Sequence, residues 1–352
     1  MIVNFLIDSR YGGPQMILGH LKRKLNIKNK TIYFDINNKK FFFSNLKKIN
    51  KIFFIFDVIF NLLILIKNYK KFKKDQIFLV LSIVNIVPIF LGIILKKKIV
   101  WYILEKPNLI FYSVLKILNL YPNLKILCIS DSIAKMLKLK KYYLYFPTIN
   151  QFFWKKKINS KTKKSNKFKN IVCVGNLNKT KNHIQLIQFL EATHLKYKLA
   201  IVGKKLQSQK DYYKKLVEIK NKVNFNKLNK IDIYQNKKIK FIKKILNNSD
   251  LFILPSLEEG LSIALVEAMS MNKLCLVSKP SNHSKIIIHN NNGYEFNLNK
   301  KSFKKIFNKI YKLKVKNEKK ITDRARQTVT KLISKNVYFE RKVINKLLSN
   351  HP

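Results

Sequence analysis

The stretch PSLEEGLSIALVEAMSMNKLCLVS, Pro255–Ser278, decides the fold of the chain. Together with the LFI before it, it reads as strand, turn, helix and strand in succession. The apolar run LFILPS is stopped by Pro255 and Ser256, and LEEGL is a turn. A helix begins about Ser262, a good N-cap residue, and covers SIALVEAM. KLCLVS is a second apolar strand. Such alternation implies parallel strands joined by crossover helices.

The same stretch holds Glu258, Glu259 and Glu267, three of the protein's 18 acidic residues, in a chain of net charge +54. A helix N-terminus after a glycine turn presents free N–H groups and the positive end of a dipole, which suits a phosphate. Glu259 precedes the helix and Glu267 lies about one and a half turns inside it. A carboxylate accepts two hydrogen bonds, which suits adjacent hydroxyls on a ribose or hexose. Spacing alone leaves two readings standing: sugar-binding carboxylates, or a turn glutamate and a solvated helix glutamate. Glu258 reads as surface.

Outward from this stretch the alternation recurs. In the first half the strands are IVNFLI (2–7), QIFLVLS (76–82), KIVWYIL (98–104) and KILCIS (125–130). Helical runs follow them, among them MILGHLKRKL, VPIFLGIILKK and DSIAKMLKL. Residues 154–170, WKKKINSKTKKSNKFKN, are polar and lack periodicity, which reads as a linker. The pattern then restarts with NIVCVG, HIQLIQFLEA, YKLAIVG, SQKDYYKKLVEIK, a short strand near VNF, and the helix KIKFIKKILNN. The end of the chain is Lys-rich and helical. The 352 residues thus predict two successive α/β domains. A cleft between them is where ligands of open parallel sheets bind. Gly12, Gly13, Gly175, Gly203 and Gly260 all follow strand-like runs, where the backbone turns or approaches a ligand.

The charge is spread rather than patched. Residues 1–150 carry 26 basic and six acidic side chains, and the remainder carry 46 and 12. Arginine occupies only positions 10, 23, 324, 326 and 341, leaving 67 of the 72 basic residues as lysine. Arginine is the better residue for bidentate phosphate or base recognition. Its scarcity argues against a specific nucleic-acid surface. Enrichment in Lys, Asn, Ile and Phe together points to a coding bias toward AT-only codons.

Cys128, Cys173 and Cys275 lie in apolar strand-like runs with no metal or disulfide spacing, which suits a reducing compartment. The first residues show neither a basic n-region nor a cleavage site, so a cytoplasmic protein is expected. FFIFDVIFNLLILI, Phe53–Ile66, is too short to span a bilayer. Its flanking lysines are compatible with a helix buried on a sheet or with a face resting on anionic lipid.

Two further loops bear on chemistry. VGNLNKTKNH, Val174–His183, ends a strand at Gly175 and places Lys179 and Lys181 before a helix, where lysine neutralises a diphosphate as a point charge. DSRYGGPQ, Asp8–Gln15, is a Gly-rich first strand-to-helix loop. It contains neither a GxGxxG fingerprint nor a Walker GxxxxGK[ST].

In their order along the chain these elements resemble the retaining glycosyltransferases of family 4, which have the GT-B architecture of two Rossmann-like domains facing a central cleft. EGLSIALVE matches that family's E-x7-E motif through Glu259 and Glu267. VGNLNKTKNH matches its VGRLxxxKN loop, DSRYGGPQ looks like its N-terminal Gly-Gly loop, and KILCISDSIAK resembles its strand before the linker. The resemblance implies an N-terminal acceptor-binding domain over 1–153, a linker over 154–170 and a nucleotide-sugar domain over 171–335. A C-terminal helix over 336–352 is expected to pack back on the first domain.

By the same resemblance Glu259 contacts the transferred sugar near its reacting carbon, and Glu267 binds the nucleotide ribose. Backbone N–H groups from Gly260, Leu261 and Ser262 face the sugar or diphosphate, and Lys181 stabilises the departing diphosphate. Gly12 and Gly13 let the N-terminal loop approach the phosphates or the acceptor. Asn176 stands where the family has arginine, which removes one diphosphate charge; Lys204 is the candidate to replace it. No histidine lies between His20 and His183, so the N-domain histidine of many members is absent, with Tyr102 and Glu105 the only candidates in its place. Lys285 stands where members often have a glutamate.

The implied activity is sugar transfer from a UDP- or GDP-sugar, without metal or cofactor, since no Asp-x-Asp motif occurs. The implied acceptor is a hydroxyl of a growing surface glycan or lipid-linked saccharide, reached at the inner face of the cytoplasmic membrane. Alternatives on the same fold are a nucleotide-sugar epimerase, a phosphorylase-like enzyme and a non-catalytic sugar-binding protein. A basic nucleic-acid-binding protein rests on the charge alone.

Overall fold

The computed structural model describes residues 2–6, 18, 29–33, 63, 77–82, 86–104, 115–118, 120–146, 153, 170–226 and 228–339, with the backbone alone at 2–6, 29–33 and 335–339. The Gly12–Gly13 loop, Glu105, residues 154–169 of the expected linker and residues 340–352 lie outside the described residues. So does the Phe53–Ile66 segment, apart from Leu63. The chain divides into two compact units, residues 1–148 with 335–352 and residues 149–334.

The first unit is built on a six-stranded parallel sheet. Its strands are β1 (Ile2–Leu6), β2 (Asn29–Tyr33), β3 (Ile77–Leu81), β4 (Lys98–Ile103), β5 (Leu124–Cys128) and β6 (Tyr143–Leu144), in the order β2-β1-β3-β4-β5-β6. Helix α1 (Val87–Ile94) follows β3, and α2 (Asp131–Met136) follows β5. Ser130 caps α2 by accepting a hydrogen bond from the Ile133 N–H at 3.3 Å. After Lys98, β4 is apolar and buried because both of its faces are covered, as parallel sheets require. Trp101 and Tyr102 on β4 are fully buried. The Trp101 Nε1 donates to the Ser82 carbonyl at 2.9 Å, and the Tyr102 hydroxyl donates to the Tyr145 carbonyl at 2.5 Å.

The second unit is also a six-stranded parallel sheet, of β7 (Asn170–Val174), β8 (Lys198–Gly203), β9 (Lys230–Gln235), β10 (Leu251–Leu254), β11 (Leu274–Ser278) and β12 (Tyr294–Phe296). The order is β12-β11-β10-β7-β8-β9. Counted within the unit this is 6-5-4-1-2-3, the Rossmann order. Helices α3 (His183–Glu191), α4 (Lys210–Phe225), α5 (Ile239–Asn248), α6 (Ile263–Ser270), α7 (Lys300–Tyr311) and α8 (Val315–Phe339) complete it, with α8 running on into residues of the first unit.

The core of this unit joins the sheet to the aromatic face of α7, whose Phe303, Phe307 and Ile310 are buried at helical spacing. Phe303 stacks on Phe189 and Phe307 with centroids 5.3 and 5.4 Å apart, and meets Phe296 edge-on at 5.1 Å. The lysines of α7 are all exposed.

The sequence reading differs from the structure at VNF. Val223–Phe225 ends α4, and the strand is Lys230–Gln235. Leu216 and Val223, seven residues apart, continue the buried stripe of α4, so tertiary packing keeps the segment helical. Asn224 then ties the helix end to the strand, exchanging hydrogen bonds with the Ile231 carbonyl at 3.0 Å and N–H at 2.7 Å. The short strands β2, β6 and β12 are also absent from the sequence reading. Among the described residues, no helix is long and apolar enough to cross a membrane. The three cysteines are free and buried, and burial pushes the Cys128 and Cys173 thiols up to about 12.

Candidate active site

In a sheet of this order, the crossovers leave β7 in opposite directions on its two sides, so a crevice opens at the C-terminal ends of β7 and β10. The two loops singled out in the sequence emerge there side by side. β7 ends at Val174, and the chain runs through Asn176 and Leu177 into a short 3-10 turn at Lys179–Lys181. β10 ends at Leu254 and leads through Ser256 to Glu259 and α6.

The first loop is held closely. Gly175 N–H donates to the Val202 carbonyl and Leu177 N–H to the Lys204 carbonyl, both at 2.9 Å. The Asn178 side chain accepts from the Lys181 N–H at 3.0 Å and caps the turn. Asn182 is left-handed, with φ 58°, and its amide donates to the Pro255 carbonyl at 3.2 Å. That bond ties the loop after β7 to the end of β10. The Leu257 N–H, donating to the Thr180 carbonyl at 2.8 Å, ties them a second time.

Two glycines make this approach possible. A Cβ on Gly203 would stand 1.9 Å from the Gly175 carbonyl oxygen, so β8 passes the loop at backbone contact. A Cβ on Gly175 would stand 3.1 Å from Cδ of Lys181, so that side chain lies along the glycine. None of the described glycines has a positive φ. At these two positions glycine therefore serves close packing rather than a left-handed turn.

Lys181 and Glu259 meet as an ion pair, with both side chains mostly buried. The same carboxylate oxygen of Glu259 accepts from the Ser256 hydroxyl at 2.9 Å. Residues 78 apart in sequence therefore share one site. Lys179, also in the loop, is exposed, and its N–H donates to the Gln209 side chain at 3.4 Å. Glu258 is exposed.

Helix α6 starts at Ile263, with Ser262 as its N-cap: the hydroxyl accepts from the Leu265 N–H at 3.3 Å. Leu261 and Ser262 are buried, and Gly260 is half-buried. Glu267, on the next turn, is 6% exposed. Among the described residues no hydrogen bond or ion pair reaches its carboxyl, and burial pushes that group up to about 8. A buried carboxyl without a cation is poised to take hydroxyl donors.

The remaining expectations sort by position. Asn176 is half-buried, and its carbonyl accepts from the Asn178 N–H at 2.8 Å. Lys204 lies beside it through the Leu177–Lys204 backbone bond. Lys285 is exposed, in a left-handed conformation with φ 51°. Tyr102 is a core tyrosine whose hydroxyl is committed to Tyr145, which corrects the reading that offered it in place of the N-domain histidine.

Sequence reasoning missed the buried serines. Ser278 Oγ donates to the Ser256 carbonyl at 2.6 Å, and Ser281 Oγ donates to the Ser278 carbonyl at 2.7 Å. Serine at a strand end reads as an ordinary terminator. It missed His183 too. This residue is fully buried at the start of α3, neither ring nitrogen has a partner among the described residues, and burial holds it near 3 and so neutral. A lone histidine before an apolar helix carries no sequence pattern that would reveal this.

Residues 155–328 match the family model of Glycosyl transferases group 1. Among solved structures, a glycosyltransferase from Rickettsia africae ESF-5 is 15% identical over 99% of both chains, with a TM-score of 0.69. The sucrose-phosphate synthase (tll1590) from Thermosynechococcus elongatus is 11% identical over 99% of both chains, at 0.76. Anabaena Alr3699/HepE in complex with UDP and glucose is 13% identical over 99% of both chains, at 0.68. Among curated proteins no sequence matches. Residues 155–328 therefore carry a group 1 glycosyltransferase domain, in a chain whose fold is that of the GT-B glycosyltransferases.

Proposed function

We propose that the protein is a retaining glycosyltransferase of family 4, which moves a sugar from a nucleotide-diphosphate donor to a hydroxyl of a growing surface glycan or a lipid-linked saccharide. The observation that carries this reading is the meeting of Lys181 and Glu259 at the ends of β7 and β10, the Rossmann switch point, beside the capped start of α6. A lysine paired with a carboxylate beside a helix N-terminus, with a second carboxylate buried further along that helix, suits a donor with an anionic centre and hydroxyls on either side.

In this reading the donor diphosphate lies between Lys181 and the N–H groups of Gly260, Leu261 and Ser262. As the bond from the anomeric carbon to the diphosphate oxygen breaks, negative charge grows on the leaving group, and these donors stabilise it. Glu259 holds the sugar hydroxyls, and Glu267 accepts from the ribose. The acceptor oxygen attacks on the face the diphosphate leaves, which retains configuration, and its proton passes to the departing diphosphate oxygen. No metal is required in this scheme. Lys204 supplies the charge missing at Asn176. Anabaena Alr3699/HepE, similar in fold, is solved with UDP-glucose, which makes UDP-sugars the first donors to test ahead of GDP-sugars. A lipid-linked acceptor would bring the protein to an anionic membrane surface, for which its lysines are suited.

A thermal-shift and nucleotide-release screen with UDP-, GDP-, ADP- and CMP-sugars, on the wild type and Glu267→Ala, tests the reading. One nucleotide class should stabilise the wild type, and Glu267→Ala should weaken that effect at least tenfold, roughly the loss of one or two hydrogen bonds to a charged group. If no nucleotide stabilises the wild type, donor binding is refuted. If folded Glu267→Ala keeps full affinity, the ribose assignment is refuted.

A further inference from the structure

The ion pair of Lys181 with Glu259 poses a problem for the reading above, on which this inference rests. One Glu259 oxygen takes both Lys181 and Ser256. A lysine that turns to a donor diphosphate leaves Glu259 without its charged partner, on a turn whose preceding residues Leu257 and Glu258 are exposed. Something else must hold the carboxylate if it is to meet the sugar in a defined place.

We propose that Ser256 is the positioning residue for Glu259: its hydroxyl keeps the carboxylate in place when Lys181 exchanges it for the diphosphate. The surroundings of Ser256 suit that role. It is fully buried. Its carbonyl accepts from Ser278 Oγ at 2.6 Å, and Ser278 is also fully buried. Ser281 Oγ donates to the Ser278 carbonyl at 2.7 Å and lies 3.3 Å from the Leu254 carbonyl. Three buried serines thus lock the ends of β10 and β11, and Ser256 stands on that base. A hydroxyl has one proton to donate, and that of Ser256 goes to Glu259. Because the serine engages only one carboxylate oxygen, the other is left to accept from a sugar hydroxyl. The apo pair is then a resting state in which lysine and glutamate satisfy each other until the donor separates them.

A serine that merely satisfied the core would change stability and all ligand binding together. A positioning serine separates nucleotide from nucleotide-sugar. The test is isothermal titration of the full chain with UDP, UDP-glucose, GDP and GDP-glucose, on the wild type, Ser256→Ala, Ser256→Thr, Glu259→Gln and the Ser256→Ala/Glu259→Gln double variant. For the nucleotide that binds, Ser256→Ala should leave affinity for the diphosphate within about twofold. It should cut the additional affinity conferred by the glucosyl group about tenfold, the scale of one hydrogen bond to a charged group. The double variant should lose no more than Glu259→Gln alone, since the serine acts through the glutamate. Ser256→Thr, which keeps the hydroxyl, should restore binding.

A Ser256→Ala protein that keeps the sugar-dependent gain overturns the proposal. So does one that loses diphosphate and nucleotide-sugar together, and so does a wild type to which the glucosyl group adds nothing. Should Ser256→Ala not fold, Ser256→Cys keeps the volume, lacks a strong donor and is read in the same way. A wild type that binds neither UDP nor GDP is a different result, which defeats the donor reading itself.

Discussion

Glu267 makes the sharpest claim at the scale of a residue. Burial favours its neutral form up to about pH 8, whereas in the unfolded chain it ionises in the ordinary carboxylate range. Between those values the folded state holds a proton that the unfolded state has released. Stability therefore falls as pH rises from about 4.5 to about 8, by up to about 1.4 kcal/mol per pH unit. Glu267→Gln removes this dependence. Its melting temperature should exceed that of the wild type at pH 8, and the gap should close by pH 5. Ribose hydroxyls donating to the carboxylate favour its charged form, so donor binding at pH 7 should release a proton. Titrations in buffers of different ionisation enthalpy would read that release directly, and a buffer-independent heat would count against it.

Lys181 makes the complementary claim. Lys181→Met should weaken diphosphate binding by roughly tenfold to a hundredfold, the loss of a charge-assisted contact. Among the described residues it leaves the Glu259 carboxylate with Ser256 as its partner. Affinity for the free nucleoside, which lacks phosphates, should not change.

Among the elements, helix α6 and the β7–β8 pair govern the site. Ser262→Ala removes the α6 cap and should cost about 1 kcal/mol, seen as a lower denaturant midpoint with an unchanged slope. Gly203→Ala sets a Cβ against the Gly175 carbonyl. Because backbone rather than a flexible side chain stands in the way, the cost should be about 3 kcal/mol or more. The shift displaces the loop that carries Lys181, so diphosphate affinity should fall even where the protein still folds. α6 was legible in the sequence down to its cap, because serine before an apolar periodic run is a local pattern. The end of α4 was not, because VNF has the composition of a strand and only packing of Val223 on the core, beside Leu216, keeps it helical.

For the whole molecule, the charge of +54 is spread over both halves of the sequence. Binding to double-stranded DNA should be weak, without sequence preference, and largely lost between 50 and 200 mM salt, as expected of counterion release alone. The same binding measured on Glu259→Gln should be unchanged, since the charge that attracts DNA is spread over the chain rather than gathered at Glu259. Tight DNA binding that survives 200 mM salt would revive the nucleic-acid reading.

Two parallel α/β units could be read from the order of apolar runs, because crossover connections impose alternation on the chain itself. Glu259, Glu267, Ser262 and Lys181 could be named from motifs for the same reason: each lies at a fixed offset from a strand end. The tertiary structure alone decided that Lys181, one of 67 lysines, meets Glu259. Lys181 is set apart by the Rossmann strand order, which lays β7 beside β10 and so brings together residues 78 apart. It alone also showed that Glu267 is buried with no cation paired to it among the described residues, and that Ser256, Ser278 and Ser281 form the base beneath Glu259. Burial and hydrogen bonding between distant strand ends leave no periodic trace in a sequence, because they depend on where the chain returns rather than on what comes next along it.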